Sequence, residues 1–149
     1  MLVDADDVEI GVPVSLTTIS PSPAYAGELT SGIFVTQLLG RAAIGEIHIE
    51  SDHSITLYGT AWVHWSQAGC MGEPYVAVKG TSMLSLAGGG TNFHVADLSA
   101  TPITITSMSK TMEQGICLNG VGQAITDPMY PAVPIQMDFR EPYRFVVRQ

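Results

Sequence analysis

The clearest pattern in the chain is an alternation of apolar and other residues near its start. Five apolar side chains share one parity there: Val8, Ile10, Val12, Val14 and Leu16. Because successive side chains of a strand point to opposite faces, this spacing predicts a half-buried β-strand. Pro13 lies on the other parity and has no N–H to donate, so we expect the strand at a sheet edge.

Residues 1–16 are therefore a candidate assembly arm, extended or exchanged between subunits, in which the five apolar residues add a strand to another sheet. The alternative is that the first strand packs into the chain's own sheet. An acidic segment precedes this strand, since Asp4, Asp6, Asp7 and Glu9 crowd the start of the chain.

Shorter patterns of the same kind follow. The segment 28–40 contains Gly32 and the run Ile33–Thr36, which favour a buried strand over a helix. A hairpin is predicted around a three-residue loop, 51–53, because an odd loop keeps Ile47 on the same face as Ile55 and Leu57.

Turn residues recur at short intervals along the rest of the chain. Ala87-Gly88-Gly89-Gly90 is predicted to be a flexible loop, and four prolines are expected to break the final third into short pieces: Pro128, Pro131, Pro134 and Pro142. The fold class is therefore all-β, a single antiparallel β-sandwich, jelly roll or small barrel of about ten short strands. We expect one domain over residues 1–149, since this length suits a single core.

Composition adds the main functional clue. Only 13% of the residues are charged, against about 25% in an ordinary soluble domain, and 46% are hydrophobic. Lysine, which commonly guards exposed strand edges, occurs only at positions 79 and 110. We therefore expect partners to cover much of the surface, either copies of this chain or other structural subunits.

Charge excludes other partner classes. The formal net charge of −8 argues against nucleic acid, and no apolar stretch is long enough for membrane insertion. The C-terminal end carries Arg140, Arg144 and Arg148. The acidic and basic ends would attract each other, or they are an acidic solvated arm and an unrelated basic end.

Candidate chemistry is sparse. Glu46, His48 and Glu50 alternate along one strand, with His64 predicted on the neighbouring strand, a pattern that suits a metal site or simply an exposed polar face. We favour the polar face and expect no cofactor. No nucleophile motif is complete, so we expect no enzymatic activity.

Two further pairs of residues are candidates for specific roles. Tyr58 and Trp62 would share a strand face and form a ligand platform for sugars, or they are buried beneath a second sheet or a neighbouring subunit. Cys70 and Cys117 form a candidate disulfide, with two free thiols as the alternative.

These features predict a non-enzymatic structural subunit, with a virus or bacteriophage virion protein as the preferred class, either capsid-decorating or a minor capsid protein. The chain begins without a basic, then apolar, secretory signal, which favours synthesis in the host cytoplasm and localisation in the virion. The alternatives are an extracellular or cell-surface adhesin or pilus subunit that donates its N-terminal strand, and a carbohydrate-binding β module.

Overall fold

The computed structural model is all-β. It describes residues 1–19, 29–38, 40–50, 52–78, 84–89, 92–112 and 115–147, which contain thirteen strands and no helix. The strands in the first half are β1 (Leu2–Val3), β2 (Glu9–Ile19), β3 (Leu29–Leu38), β4 (Arg41–Ile49), β5 (Ile55–Tyr58), β6 (Val63–Gln67) and β7 (Met71–Ala77). The strands in the second half are β8 (Leu84–Ser85), β9 (Ala87–Gly89), β10 (Asn92–Ala96), β11 (Ile103–Thr111), β12 (Cys117–Ile135) and β13 (Arg144–Phe145).

The predicted all-β class is confirmed, with a large antiparallel sheet. The ambiguous segment 28–40 contains the strand β3, as predicted, and residues 28 and 39 lie outside the described part. Within the described residues, no helix is long and apolar enough to cross a membrane.

The chain forms two compact units. The first unit comprises Met1–Leu57 and Asp138–Gln149, and the second comprises Tyr58–Met137. Each unit has its own set of buried apolar side chains. Those of the first are Leu2, Val3, Ile10, Phe34, Ala43, Ile47, Ile55 and Leu57. Those of the second include Val63, Val76, Leu86, Phe93, Val95 and Met129.

The first unit has the strand order β13–β1–β2–β3–β4–β5. Strand β1 pairs with β13 on one side and with the start of β2 on the other. Strand β3 pairs with β2 from Leu29 to Val35 and with β4 from Thr30 to Leu38. In this structure residues 1–16 therefore belong to the chain's own sheet.

The hairpin of the first unit has the predicted loop length. The Glu50 N–H donates to the Ser54 carbonyl at 2.9 Å, which encloses residues 51–53. His53 at the end of this loop has φ 69°, the left-handed conformation that three-residue hairpin loops use. Ile47, Ile55 and Leu57 are all buried, as the odd loop length predicted.

The second unit has strand pairings that close on themselves. Its order is β11–β6–β7–β12, and β12 also pairs with β11, so these four strands form a complete circuit. Met129 at the centre of β12 faces Ala77 of β7 on one side and Ile103 of β11 on the other. Outside this circuit, β12 also pairs with β10, and β10 pairs with β9.

Strand β12 corrects the prediction that prolines divide the final third into short pieces. It runs for 19 residues and contains Pro128, Pro131 and Pro134. A proline lacks the N–H but keeps its carbonyl. The Pro131 carbonyl accepts the Asp97 N–H at 2.8 Å, so this proline still joins in strand pairing through its acceptor.

The glycine run was also predicted wrongly. Ala87–Gly89 is the buried strand β9, paired with β10. Gly88 has φ 75°, and a Cβ on Gly59 would lie 2.3 Å from the Gly88 carbonyl oxygen. Glycines here allow two backbones to approach closely, which packing requires and composition does not reveal. Gly90 lies outside the described residues.

Candidate functional site

A row of exposed apolar side chains in the first unit follows β2. Four of the five residues of the predicted arm are 47–59% exposed, whereas Ile10 is 1% exposed. The exposed residues are Val8, Val12, Val14 and Leu16. Ile33 of β3, opposite Ser15, is also exposed. The alternation therefore predicted the strand, but it did not predict which side chains the fold would cover.

A β-bulge explains part of the difference between the burial predicted along β2 and the burial observed. The register between β2 and β3 shifts between Pro13 and Ser15, so Val14 is an additional residue on β2. The bulge reverses the parity after Val14. A Cβ on Gly32 of β3 would lie 1.9 Å from the Ser15 carbonyl oxygen and 2.6 Å from the Leu16 side chain, so only glycine fits beside the bulge.

The outer side of β2 is an edge beyond Gly11. Strand β1 pairs with β2 only at Glu9 and Gly11, and among the described strands β3 alone pairs with Val12–Ile19. Pro13 falls in this edge segment, as predicted. Residues 10–19 contain no charged side chain, so a bulge and one proline are the only edge protection in the segment. We call Val12–Ile19 the β2 edge.

The two chain ends meet through a buried carboxylate. Asp4 is 2% exposed and accepts three backbone N–H groups, from Asp6 at 2.8 Å, Val8 at 2.9 Å and Arg140 at 3.1 Å. Burial raises the pKa of Asp4, but these three hydrogen bonds and the charge of Arg140 outweigh it and lower the pKa below its usual 3.8. Asp4 thus holds the acidic turn and the C-terminal segment together.

Ion pairs reinforce this contact. Arg140 binds Asp6, and Arg144 binds Asp7, so the acidic and basic ends attract each other within one chain. Backbone bonds add to these pairs: the Ala5 N–H donates to the Arg140 carbonyl at 2.8 Å. Arg148 lies outside the described residues.

The predicted ligand platform is differently arranged. Strand β5 ends at Tyr58 and β6 begins at Val63, so no continuous strand carries Tyr58 and Trp62 to one face. The Lys110 ammonium lies 3.9 Å from the centre of the Trp62 ring, a cation–π contact that occupies a face of the indole. The platform therefore has less free aromatic surface than the sequence indicated, and its role in binding stays a prediction.

The structure joins Cys70 and Cys117 by a disulfide whose Cα atoms are 6.0 Å apart. A buried hydroxyl supports the turn that carries Cys70. The Ser109 side chain accepts the Cys70 N–H at 2.8 Å and donates to the Gln67 carbonyl at 2.5 Å. Cys70 has φ 55°, which few residues other than glycine adopt, so these bonds hold the turn in a sparsely populated conformation.

The predicted metal candidates do not converge on one site. His48 Nε2 lies 2.5 Å from Glu46 Oε1, and the Ser31 hydroxyl donates to the same oxygen at 3.3 Å. His64 belongs to the second unit, where its Nδ1 lies 3.0 Å from the Ser107 hydroxyl. Burial, and then the charge of Lys110, lowers the pKa of His64 below 6.5. The described residues contain no group of three or more His, Cys, Asp or Glu that could hold a metal ion.

A cavity of about 550 Å³ lies within the second unit, beside the disulfide. Three of its lining residues are buried: Phe93, His94 and Thr111. Trp65 and Ile135 are half-buried, and the exposed lining residues, which we call the rim, are Cys117, Pro134 and Gln136. The Trp65 N–H donates to the Thr111 hydroxyl at 2.9 Å, and the Trp65 and His94 rings meet edge to face at 5.7 Å.

Sequence reasoning missed this cavity. Trp65, His94 and Gln136 come from three strands or their ends, and neighbours in this set are at least 29 positions apart in sequence. Pairing of β6 with β11 and of β10 with β12 brings them together. The sequence offered one signal of this arrangement, the candidate disulfide, because a bond between Cys70 and Cys117 fixes the start of β12 near the turn after β6.

Comparison with known proteins yields no relative: no protein-family model, no curated protein and no solved structure matches this chain.

Proposed function

We propose that this protein is a non-enzymatic structural subunit that assembles through β contacts, and that the assembly is the particle of a virus or bacteriophage. The observation that carries the proposal is the β2 edge. It combines a row of half-exposed apolar side chains with a strand edge that has no charged residue. Exposed edges of this kind pair with other strands unless something covers them.

The size of the apolar surface indicates how such an edge would be used. Full burial of an aliphatic side chain contributes about 1.5–3 kcal/mol, so covering the remaining half of Val12, Val14 and Leu16 contributes roughly 2–5 kcal/mol. Association costs about 4–15 kcal/mol. One edge contact alone is therefore marginal. Backbone hydrogen bonds along the edge, or the many simultaneous contacts of a particle, would make the association stable.

The circuit of β11, β6, β7 and β12 supports a small barrel for the second unit, among the all-β architectures that the sequence indicated. The partners in this proposal are further copies of the chain or other structural subunits of the particle.

The disulfide supports exposure to an oxidising environment, where virion and cell surfaces both lie. It therefore also favours the second candidate, an extracellular adhesin or pilus subunit. In the structure β1 pairs with β13 on one side and with β2 on the other, so Leu2 and Val3 already have partners on both sides, which favours addition of strands at the β2 edge over donation of residues 1–16.

The decisive experiment compares two lysine substitutions at exposed valines of the first unit. Val14 on the β2 edge is 59% exposed and Val147 is 91% exposed, so neither change should disturb the core. We expect native mass spectrometry and analytical ultracentrifugation to show an oligomer for the wild type and for Val147→Lys, and a monomer for Val14→Lys. A monomeric wild type, or normal assembly of Val14→Lys, would contradict the proposal.

Non-reducing mass spectrometry of the purified protein tests the adhesin candidate. A complete disulfide between Cys70 and Cys117 is expected for a subunit that functions outside the cell, whether on a virion or on a cell surface. Two free thiols would count against the adhesin and leave the cytoplasmically assembled particle.

A further inference from the structure

We propose that the cavity beside Trp65 is a binding site for a neutral pyranose sugar. This inference is independent of the assembly function, because every residue that carries it lies in the second unit and none lies on the β2 edge. It also changes the position of the candidate sugar site, which the sequence indicated at Tyr58 and Trp62.

The described lining residues offer no charged partner to a ligand. In the part of the chain that the structure describes, ten residues line the cavity, and none of them is Asp, Glu, Lys or Arg. A carboxylate, phosphate or ammonium group placed here would lose water without gaining an ion pair, which is strongly unfavourable. The volume of about 550 Å³ lies in the range of small-molecule sites.

The distribution of polar and apolar groups matches a sugar better than a wholly apolar ligand. Trp65, Phe93 and Ile135 offer apolar surface to the C–H face of a pyranose ring. The Thr111 hydroxyl, which accepts the Trp65 N–H, has an O–H that can donate, and the Gln136 carboxamide can both donate and accept. Because Gln136 lies on the exposed rim, outer sugar hydroxyls would remain in contact with water.

The rigidity of the walls favours binding. The Trp65 indole is held by its bond to Thr111 and its contact with His94, and the disulfide fixes the adjoining turn. A site whose side chains are already ordered loses little conformational entropy on binding. The Trp62 ring, in contrast, carries the Lys110 ammonium, which a sugar would have to displace.

The test uses the intact chain and a panel of methyl pyranosides of glucose, galactose, mannose and N-acetylglucosamine. Each is titrated to tens of millimolar while amide and indole NMR signals are followed. We expect at least one glycoside to give saturable shifts at Trp65, His94 and Gln136. The same titration with phenol tests a neutral aromatic ligand.

Two variants assign the site, each with a matched control. Gln136→Ala is expected to weaken binding about fivefold, the effect of one neutral hydrogen bond, whereas Gln37→Ala on the exposed surface of the first unit should have no effect. Trp65→Leu is expected to weaken binding at least about tenfold, whereas Trp62→Leu should leave it unchanged. Gln136→Ala keeps the test valid if Trp65→Leu fails to fold.

Several outcomes would overturn the proposal. Shifts with phenol but with no glycoside would show an aromatic rather than a sugar site. No saturable shift with any probe would show that the cavity binds neither class. Weakening by Trp62→Leu with no effect of Gln136→Ala would return the site to the platform that the sequence indicated.

Discussion

The first unit joins its chain ends with charged groups, whereas the second unit closes its strand circuit with a disulfide and neutral hydroxyls. In the first, Asp4 accepts three backbone N–H groups, and Arg140 and Arg144 bind neighbouring aspartates. In the second, Cys70 is linked to Cys117, and Ser109 supports the turn at Cys70. The comparison shows how one chain with few charges can concentrate them where the ends must meet.

The difference has a physical consequence. Charged contacts respond to pH and salt, because a proton or a counterion competes with the partner. A disulfide responds to reductant instead. The two units should therefore lose stability under different conditions, and the chain offers separate probes of them, since both tryptophans lie in the second unit.

The largest expected effect is that of removing the disulfide. The two cysteines are 47 residues apart, and the loop-entropy relation assigns about 4 kcal/mol to closing such a loop. Denaturant titration of the Cys70→Ser/Cys117→Ser variant should show this loss in tryptophan fluorescence. Amide signals of Ile10 and Phe34 in the first unit should change little.

Reductant provides the control for that prediction. Reductant should lower the denaturant concentration at the unfolding midpoint of the wild type and leave that of the double variant unchanged. An equal loss in both units would show that their stabilities are coupled, and the comparison between them would then fail.

We expect acid to cause an intermediate loss of stability, and the second unit should lose stability before the first as the pH falls. The pKa of His64 is lowered by burial and then by Lys110, so the folded unit binds its proton less readily than the unfolded chain. The contribution of a neutral His64 is complete above pH 6.5 and is lost as the pH falls from 6.5 toward the lowered pKa. Denaturation followed by tryptophan fluorescence should show this decline, and His64→Gln should remove it.

The first unit should respond at lower pH. The pKa of Asp4 lies below 3.8, so its contribution persists above 3.8 and is lost as the pH falls through the lowered pKa. Asp97 of the second unit also has a lowered pKa, owing to its bonds with Ser99, so both units lose stability there. Loss of Ile10 and Phe34 amide protection between pH 6.5 and 3.8 would contradict this order.

The smallest expected effect is that of one exposed ion pair. Arg144 and Asp7 are both well exposed, so Arg144→Gln should lower the free energy of unfolding by less than about 1 kcal/mol, and high salt should abolish the difference. Arg41→Gln, at an exposed arginine of β4, is the matched control. A loss well above this limit would mean that the ion pairs, and not Asp4, hold the ends together.

Local patterns anticipated much of the first unit. The alternation from Val8 to Leu16 predicted β2, Gly32 with its β-branched neighbours predicted β3, and loop parity predicted the hairpin that buries Ile47. These predictions succeeded because each depends on residues close in sequence. The prediction failed where a neighbour in space decided the outcome, as with the prolines of β12 and the buried glycines of β9.

The sequence by itself determined that the protein is all-β, that acidic residues crowd its start and arginines its end, and that Pro13 requires a strand edge. These follow from side-chain period, composition and the missing N–H of proline. Only the tertiary structure decided that Ile10 is covered while Val14 and Leu16 are exposed, and that Trp65 rather than Trp62 borders a cavity. The physical reason is that exposure depends on strand register and on pairings between distant segments, which a bulge of one residue can reverse.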